Sequence, residues 1–387
     1  MGKQVPTVIC TFGARFMLAQ VHSLEREIQG VTYARDPECI HRMRVASRRL
    51  RYALDLFWDC LPGKKAKGWR DEIRKVTHAL GNARDLDIQI AELTNLYQDW
   101  LDAKYKPGYN RLLLRLKQKR TKAQKKVNKT IFNLTESEAL AKLSERLEKH
   151  LADADAVDLK SPELAQKALD AIEEALGEFL RFADIVDQPE NSDKLHAMRI
   201  AGKRLRYTME IFAPIYADEL RPYIIVMKDI QDQLGAYHDN DVWENWLPKF
   251  VDKERARIED YFGNAGPLKR LLPGLHNLME DRARAKAAAY EAFALNWQTL
   301  AEEHVWDHLR ELLRAKRQPE TPSAAEAAQE QAAALSEDSK PLSEGTETEK
   351  TTPVDVVNPP EETEAETVEI ELTSLPDNLL EEENPDL

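Results

Sequence analysis

The sequence predicts an all-α protein made of two related helical halves and an acidic C-terminal tail. Apolar residues recur with the spacing i, i+3, i+4 and i+7 in many windows, which is the pattern of an amphipathic helix. Two sequence motifs each occur twice, in the same order and at nearly the same separation. No convincing run of alternating apolar and polar residues occurs in the body of the chain, so no strand is predicted there.

Helices are predicted wherever the apolar period is regular. Examples of such windows are Leu18 to Ile28, Ile40 to Phe57, Leu164 to Phe182, Leu195 to Phe212 and Ile224 to Leu234. Breaks are predicted where glycine and proline cluster, because both residue types interrupt helices. These breaks fall near Pro62-Gly63, Lys106-Pro107-Gly108, Ser161-Pro162, Gln188-Pro189 and Gly263 to Pro267.

An internal duplication defines the organisation of the body. The segment His41 to Tyr52 returns as His196 to Tyr207, and Leu80 to Asp87 returns as Leu234 to Asp241. The first pair is separated by 155 residues and the second by 154. This period is far too long for a solenoid. Residues 1–317 are therefore predicted to form two copies of a bundle of about four helices, at about 8–152 and 160–317.

Charge is distributed unevenly between the body and the tail. The whole chain of 387 residues has a net charge of −13. Residues 318–387 hold 20 acidic residues and two lysines, whereas residues 1–317 have a net charge of +5. The tail lacks aromatic residues and is rich in Glu, Thr, Ser, Ala and Pro, which predicts disorder. The asymmetry indicates a body that binds polyanions or a tail that binds partners.

Several classes of protein are excluded by composition. No run of about 18 apolar residues is present, so a transmembrane helix is not expected. The N-terminal residues lack the apolar stretch of a secretory signal. The three cysteines, Cys10, Cys39 and Cys60, are far apart in sequence and too few for a disulfide framework or a zinc site. The cytoplasm is the expected compartment.

The first motif predicts one helix with an apolar face and a basic face. At about 100° per residue, Met43, Ala46, Leu50, Ala53, Leu54 and Phe57 lie opposite the charged residues. The basic face holds His41, Arg44, Arg48 and Arg51, with Arg49 at its edge, and the second copy holds His196, Arg199, Lys203 and Arg206, with Arg204 at its edge.

A merely solvated face does not explain this pattern well. Like charges three or four residues apart destabilise a helix, and solvent-facing helices usually interleave acids to avoid this. No acidic residue occurs from His41 to Ala53 or from His196 to Met209. Guanidinium groups bind oxyanions through paired donors, and histidine adds a charge that depends on pH.

The two motifs also resemble those of a known family. The pattern His-x-x-Arg-Val/Ile-Ala-x-Arg/Lys-Arg-Leu-Arg-Tyr, followed by Leu-Gly-x-x-Arg/His-Asp-x-Asp, resembles the CHAD family of histidine-containing α-helical domains. The resemblance covers about residues 8–317. It implies two four-helix repeats whose basic helices line a groove or pore that binds inorganic polyphosphate, through the ten basic-face and edge residues named above. Lys203 departs from the first copy because it keeps the charge of Arg48 but loses the bidentate geometry.

Further basic residues are candidates for secondary anion contacts. They are Arg74, Arg84, Arg111, Arg115, Lys122, Lys126, Lys228 and His238. Asp85 and Asp239 follow two of them and are expected to pair with a motif arginine. The alternative role of Asp85, Asp87, Asp239 and Asp241 is a metal site, but no metal or other cofactor is predicted. His304 and His308 have helical ligand spacing without an evident third ligand.

Non-catalytic binding of inorganic polyphosphate is the predicted function, with the bacterial cytoplasm and polyphosphate granules as the location that the resemblance implies. Phosphate or sulfate is expected to substitute for the ligand, and no membrane partner is expected. One alternative is an enzyme acting on phosphoanhydrides, but no phosphate-binding glycine loop is present. The other alternative is an adaptor that binds nucleic acid or protein. Nucleic acid is expected to bind weakly at most. A further hypothesis is that the tail occupies the basic groove as a polyanion mimic.

Overall fold

A computed structural model describes residues 5–34, 36–99, 102–154 and 156–316. The prediction for the tail, residues 318–387, lies outside the described residues. Within the described ranges the chain forms ten α-helices and no strand, which confirms the all-α prediction. The helices are α1 Thr7–Thr32, α2 Pro37–Leu56, α3 Gly63–Asp99, α4 Lys106–Glu136, α5 Ala139–Ala152, α6 Pro162–Leu180, α7 Ser192–Phe212, α8 Arg221–Phe262, α9 Leu272–Glu302 and α10 Val305–Ala315.

Local sequence explains where several helices begin. The Asp36 carboxylate caps α2 by accepting a hydrogen bond of 2.9 Å from the backbone N–H of Glu38. Ser161 caps α6 in the same way, and a proline follows each cap at the first helical position. Proline is favoured there because its missing N–H would have no partner within the helix. The predicted breaks near Lys106 and Ser161 therefore mark helix starts.

Four helix pairings of the first five helices recur among the last five. In the first half α1 packs against α2 and α5, while α3 packs against α2 and α4. In the second half α6 packs against α7 and α10, while α8 packs against α7 and α9. Each half therefore has five helices where the sequence predicts about four. The domain boundaries assigned from the sequence stay a prediction.

The short helices α5 and α10 follow turns that carry no sequence signal. Each turn consists mainly of one residue in the left-handed region, Glu138 with φ 52° and His304 with φ 52°. Glycine is the usual residue in this region because it lacks a Cβ. Because neither turn contains glycine or proline, sequence patterns do not separate α5 from α4 or α10 from α9.

The halves share a continuous core. Phe12 of α1 stacks on Phe212 of α7 with ring centroids 5.8 Å apart, and Phe57 meets both rings edge-on. At a second contact, α4 and α9 approach so closely that a Cβ at Gly274 would overlap the backbone carbonyl of Tyr105. Aromatic burial and close backbone packing thus fix the halves against each other.

Two of the three cysteines are joined, which the sequence does not suggest. Cys10 of α1 and Cys60, just after α2, form a disulfide with their Cα atoms 5.3 Å apart, and Cys39 is free and buried. The antiparallel packing of α1 and α2 brings the two residues together despite their separation of 50 residues. Sequence distance is therefore a poor guide to cysteine pairing here.

Candidate functional site

The two motif helices, α2 and α7, meet at their C-terminal halves. The rings of Tyr52 and Tyr207, which end the two copies of the first motif, have centroids 5.0 Å apart. The guanidinium of Arg48 lies over the Tyr207 ring at 4.9 Å from its centroid. Arg206 lies over the same ring at 4.8 Å. Cations from both halves therefore converge on one buried aromatic ring, an arrangement favoured by the ring quadrupole.

Arg48 is the cation at the centre of this crossing. It is half-buried, and its Nε is shielded from solvent and donates no hydrogen bond within the described residues. Burial lowers the pKa of Arg48, Tyr207 opposes this shift, and the neighbouring cations Arg44 and Arg206 reinforce it. An anion bound here would satisfy a buried donor and offset the repulsion between these guanidinium groups.

Buried aspartates of the second motif lie beside the motif arginines. Asp85 is 3% exposed, and its Oδ1 lies 3.9 Å from Nη2 of Arg44, as the sequence predicts. Asp239 is 6% exposed, and burial raises its pKa well above the ordinary value. Arg199 and Lys203 oppose that shift, whereas Asp85 reinforces it. The carboxylates of both halves thus share one electrostatic environment with the motif cations.

The histidines are arranged differently in the two halves. His196 and His238 face each other with their Nδ1 atoms 3.1 Å apart and their ring centroids 4.2 Å apart. One Nδ1 must carry the hydrogen while the other accepts it, because a neutral imidazole has one donor and one acceptor nitrogen. His41 is half-buried, and Arg84, the counterpart of His238, donates to Glu38 at 2.9 Å.

Some predicted phosphate contacts are engaged with carboxylates. Arg49 and Arg206 both bind Glu210, at 3.0 Å and 2.8 Å. Arg204 turns away from the crossing toward α6, where its guanidinium binds Glu174 and Glu178. Arg51 is half-buried on α2. Arg49, Arg204 and Arg206 are therefore each paired with a carboxylate before any ligand binds.

The secondary candidates lie in several places. Arg111 and Arg115 of α4 bind Glu254 of α8, at 3.6 Å and 2.7 Å, and the Glu254 side chain is fully buried. They connect the two halves. Exposed side chains are found at the other four positions not yet described, Arg74, Lys122, Lys126 and Lys228.

The remaining motif aspartates are held by cations. Asp87 Oδ1 accepts a hydrogen bond of 2.6 Å from Arg120, and Asp241 binds Lys286 at 2.5 Å. Across the described residues, no group of three or more histidine, cysteine or acidic side chains is arranged to hold a metal ion. Nor does any helix in that part of the chain have the length and apolar character needed to cross a bilayer.

Two features of the site are absent from the sequence-based prediction. The Tyr52–Tyr207 contact has a signal, because tyrosine closes both copies of the first motif. Glu210 has only a weak one: it lies one turn after Arg206, where an ion pair at i and i+4 is common. The contact between Glu210 and Arg49 of the other half has no sequence signal, because it depends on how the two halves pack.

The family model described as the CHAD domain matches residues 15–248, and the chain belongs to this family. Among solved structures, it is similar to a crystal structure of the CHAD domain from the plant Ricinus communis, with 20% identity and a TM-score of 0.56. That match covers 75% of this chain and 91% of the plant chain. PptA from Streptomyces chartreusis is similar at 18% identity and a TM-score of 0.50, covering 75% of this chain and 99% of that one. No curated protein matches the chain.

Proposed function

We propose that this protein binds inorganic polyphosphate, without chemically altering it, at the crossing of α2 and α7. The observation that carries the proposal is the convergence of Arg44, Arg48 and Arg206 at that crossing, where a buried Arg48 nitrogen has no acceptor among the described residues. Membership of the CHAD family supports it, since the motif resemblance implies this ligand. Each guanidinium offers a planar pair of donors that suits a phosphate oxyanion.

The shape of the basic surface favours a linear ligand. His41, Arg44 and Arg48 lie at successive turns of α2, and His196, Arg199 and Lys203 do so on α7. Helical turns are about 5.4 Å apart, so each set forms a row rather than a single pocket. The row on α2 is half-buried, whereas in the row on α7 Arg199 is only 1% exposed. A chain of phosphate units, with about one negative charge each, would meet the α2 row and the half-buried His196 and Lys203 along its length.

Catalysis is not part of the proposal because the available carboxylates have other partners. A phosphoanhydride-cleaving site needs acidic ligands for a metal or an activated nucleophile. Asp85 faces Arg44, Asp87 binds Arg120, and Asp241 binds Lys286. Incubating the full chain with polyphosphate and Mg²⁺ or Mn²⁺ tests this point. Release of phosphate by the unsubstituted protein but not by Asp239→Asn would overturn the proposal that the protein does not alter its ligand.

Competition among polyanions tests the choice of ligand. Labelled polyphosphate bound to the full chain should be displaced by unlabelled polyphosphate at a lower phosphate concentration than by RNA or DNA. Nucleic acids carry the same backbone charge with wider spacing and with bulky bases, for which the described residues offer no evident stacking platform. Equal or stronger displacement by RNA would move the proposal to nucleic acid.

The cytoplasm, with attachment to polyphosphate granules, is the proposed location. The Cys10–Cys60 disulfide bears on it directly, because structural disulfides are rare in the reducing cytosol. Alkylating free thiols during cell lysis would show the redox state of the pair in the cell. Labelled thiols together with granule-associated protein support the proposed location, whereas a protected disulfide argues for an oxidising compartment.

A further inference from the structure

Glu210 of α7 connects the cations of the two motif helices. One carboxylate oxygen lies 3.0 Å from Nη2 of Arg49 on α2, and the other lies 2.8 Å from Nη1 of Arg206. Only 18% of the Glu210 side chain is exposed. Arg206 shares the Tyr207 ring with Arg48, so this carboxylate adjoins the cations at the centre of the crossing.

We propose that Glu210 is an internal counter-ion, which a bound polyphosphate chain displaces from Arg49 and Arg206. This inference rests on the proposed function and deepens it, because it names a residue that limits how tightly long polyphosphate chains bind. A carboxylate and a phosphate compete for the same guanidinium donors. While Glu210 is in place, those two arginines share one negative charge before any ligand arrives.

The surroundings leave Arg206 in position when the carboxylate moves. Its Nε donates to Gln231 at 2.9 Å, and its guanidinium lies over the Tyr207 ring. Gln231 is itself held by a hydrogen bond of 2.9 Å to the carbonyl of Gly202. The donors that Glu210 gives up are therefore already oriented for a phosphate group, and little ordering cost is added on binding.

Displacement of Glu210 is needed for long chains but not for short ones. Orthophosphate or tripolyphosphate can bind the cations near Arg48 without touching Glu210. A long chain that continues along the crossing supplies fresh phosphate groups for Arg49 and Arg206, and these replace both lost carboxylate contacts. Glu210 thereby lowers the affinity for chains long enough to pass the crossing and leaves the affinity for short chains unchanged.

The counterpart of Glu210 in the first half makes a different ion pair. At the same offset of 155 residues that relates the two copies of the first motif, that counterpart is Asp55. Asp55 binds Arg70, which lies outside the motif, at 2.7 Å. Burial raises the pKa of Asp55, and Arg70, Arg51 and Arg204 oppose that shift. Asp55 therefore lies near the counterparts of Arg206 and Arg49 but is paired with another arginine, whereas Glu210 binds two motif arginines directly.

The test compares Glu210→Gln with Glu173→Gln in the full chain. Glu173 lies between Arg310 and Arg314, at 3.7 Å and 3.9 Å, so the control also removes one negative charge from between two arginines. Binding of long-chain polyphosphate and of tripolyphosphate is measured at several salt concentrations. A third variant, Glu210→Asp, keeps the charge and is expected to stay near the unsubstituted protein.

Glu210→Gln should bind long-chain polyphosphate roughly three- to tenfold more tightly, because two competing ion pairs are lost. The slope of log K against log salt should steepen by about one, because the site then carries one more net positive charge. Affinity for tripolyphosphate should change no more than in Glu173→Gln. Equal long-chain affinity in the two glutamine variants, with clear binding by the unsubstituted protein, would overturn the inference alone. Absence of binding by the unsubstituted protein would overturn the proposed function as well.

Discussion

The guanidinium carbon of Arg48 lies 4.9 Å from the centre of the Tyr207 ring, although the two residues belong to different halves of the chain. Tyr207 belongs to α7 of the second half and is 2% exposed. The central cation of the first motif is therefore positioned by the second motif. Neither half alone contains the complete site, which gives a physical reason for the duplication within one chain.

Exchanging arginine and lysine tests the geometry of the site without changing its charge. Arg48→Lys should weaken polyphosphate binding by about two- to tenfold, because an ammonium neither stacks on Tyr207 as well nor donates in a fixed pair. Lys203→Arg, the converse change at the matching position, should strengthen binding or leave it unchanged. Calorimetric titration at constant salt measures both. Stronger binding by Arg48→Lys together with weaker binding by Lys203→Arg would contradict this account of the site.

Binding should strengthen as the pH falls from 8 to 6. Imidazole groups gain a proton in this range, and a bound polyanion favours the charged form. His41→Ala/His196→Ala should bind with a much smaller pH dependence, whereas His22→Ala, which removes an exposed histidine of α1 that pairs with Glu148 (nitrogen–oxygen distance 3.8 Å), should keep it. Identical pH profiles for the double variant and the unsubstituted protein would show that these histidines do not contact the ligand.

Asp239→Asn should stabilise the folded protein at neutral pH. Burial raises the pKa of Asp239 in the folded state, with Arg199 and Lys203 opposing the shift. A carboxyl with a raised folded pKa gives its full stability below the unfolded pKa of about 3.9 and loses it as pH rises through the folded value. Asparagine cannot ionise, so the Tm of the variant should exceed that of the unsubstituted protein increasingly from pH 4 to 8. A Tm of Asp239→Asn that falls relative to the Tm of the unsubstituted protein as the pH rises to 8 would contradict this.

Gly274→Ala should destabilise the contact between α4 and α9. A Cβ at this position would overlap the carbonyl oxygen of Tyr105, and backbone on both sides leaves no flexible group to move. The expected loss is about 2 kcal/mol or more, because overpacking forces the backbones apart. Gly177→Ala is the control, since a Cβ there meets nothing within 4 Å and should stabilise α6 by up to about 1 kcal/mol. Chemical denaturation measures both, and equal effects would contradict the close-packed interface.

The helical fold could be predicted because the spacing of apolar residues and the duplicated motifs can be read directly from the sequence. The apolar face assigned to the first motif is buried as predicted, with Met43 and Leu50 fully inside the core. The number of helices per half could not be predicted, because Glu138 and His304 adopt the left-handed region without a glycine signal. The Cys10–Cys60 disulfide likewise depends on the packing of α1 against α2.

The residues of the candidate site could be predicted from the sequence, but their ion-pair partners could not. Helical spacing brings His41, Arg44 and Arg48 to one face, and that much follows from the sequence. Which cations stay available depends on carboxylates contributed by distant segments, and Glu210 and Glu254 are both of this kind. Arg204 illustrates the limit, since it carries the motif pattern but binds α6.

The most direct measurement is a titration of the full chain with long-chain polyphosphate at two salt concentrations, with Arg48→Ala/Lys203→Ala beside it. Arg310→Ala/Arg314→Ala removes the same charge from the α10 surface and serves as the control. The account predicts salt-sensitive binding that the control retains and that Arg48→Ala/Lys203→Ala weakens at least about tenfold. Equal losses in the two double variants, or no binding at either salt concentration, would contradict a polyphosphate site at the crossing of α2 and α7.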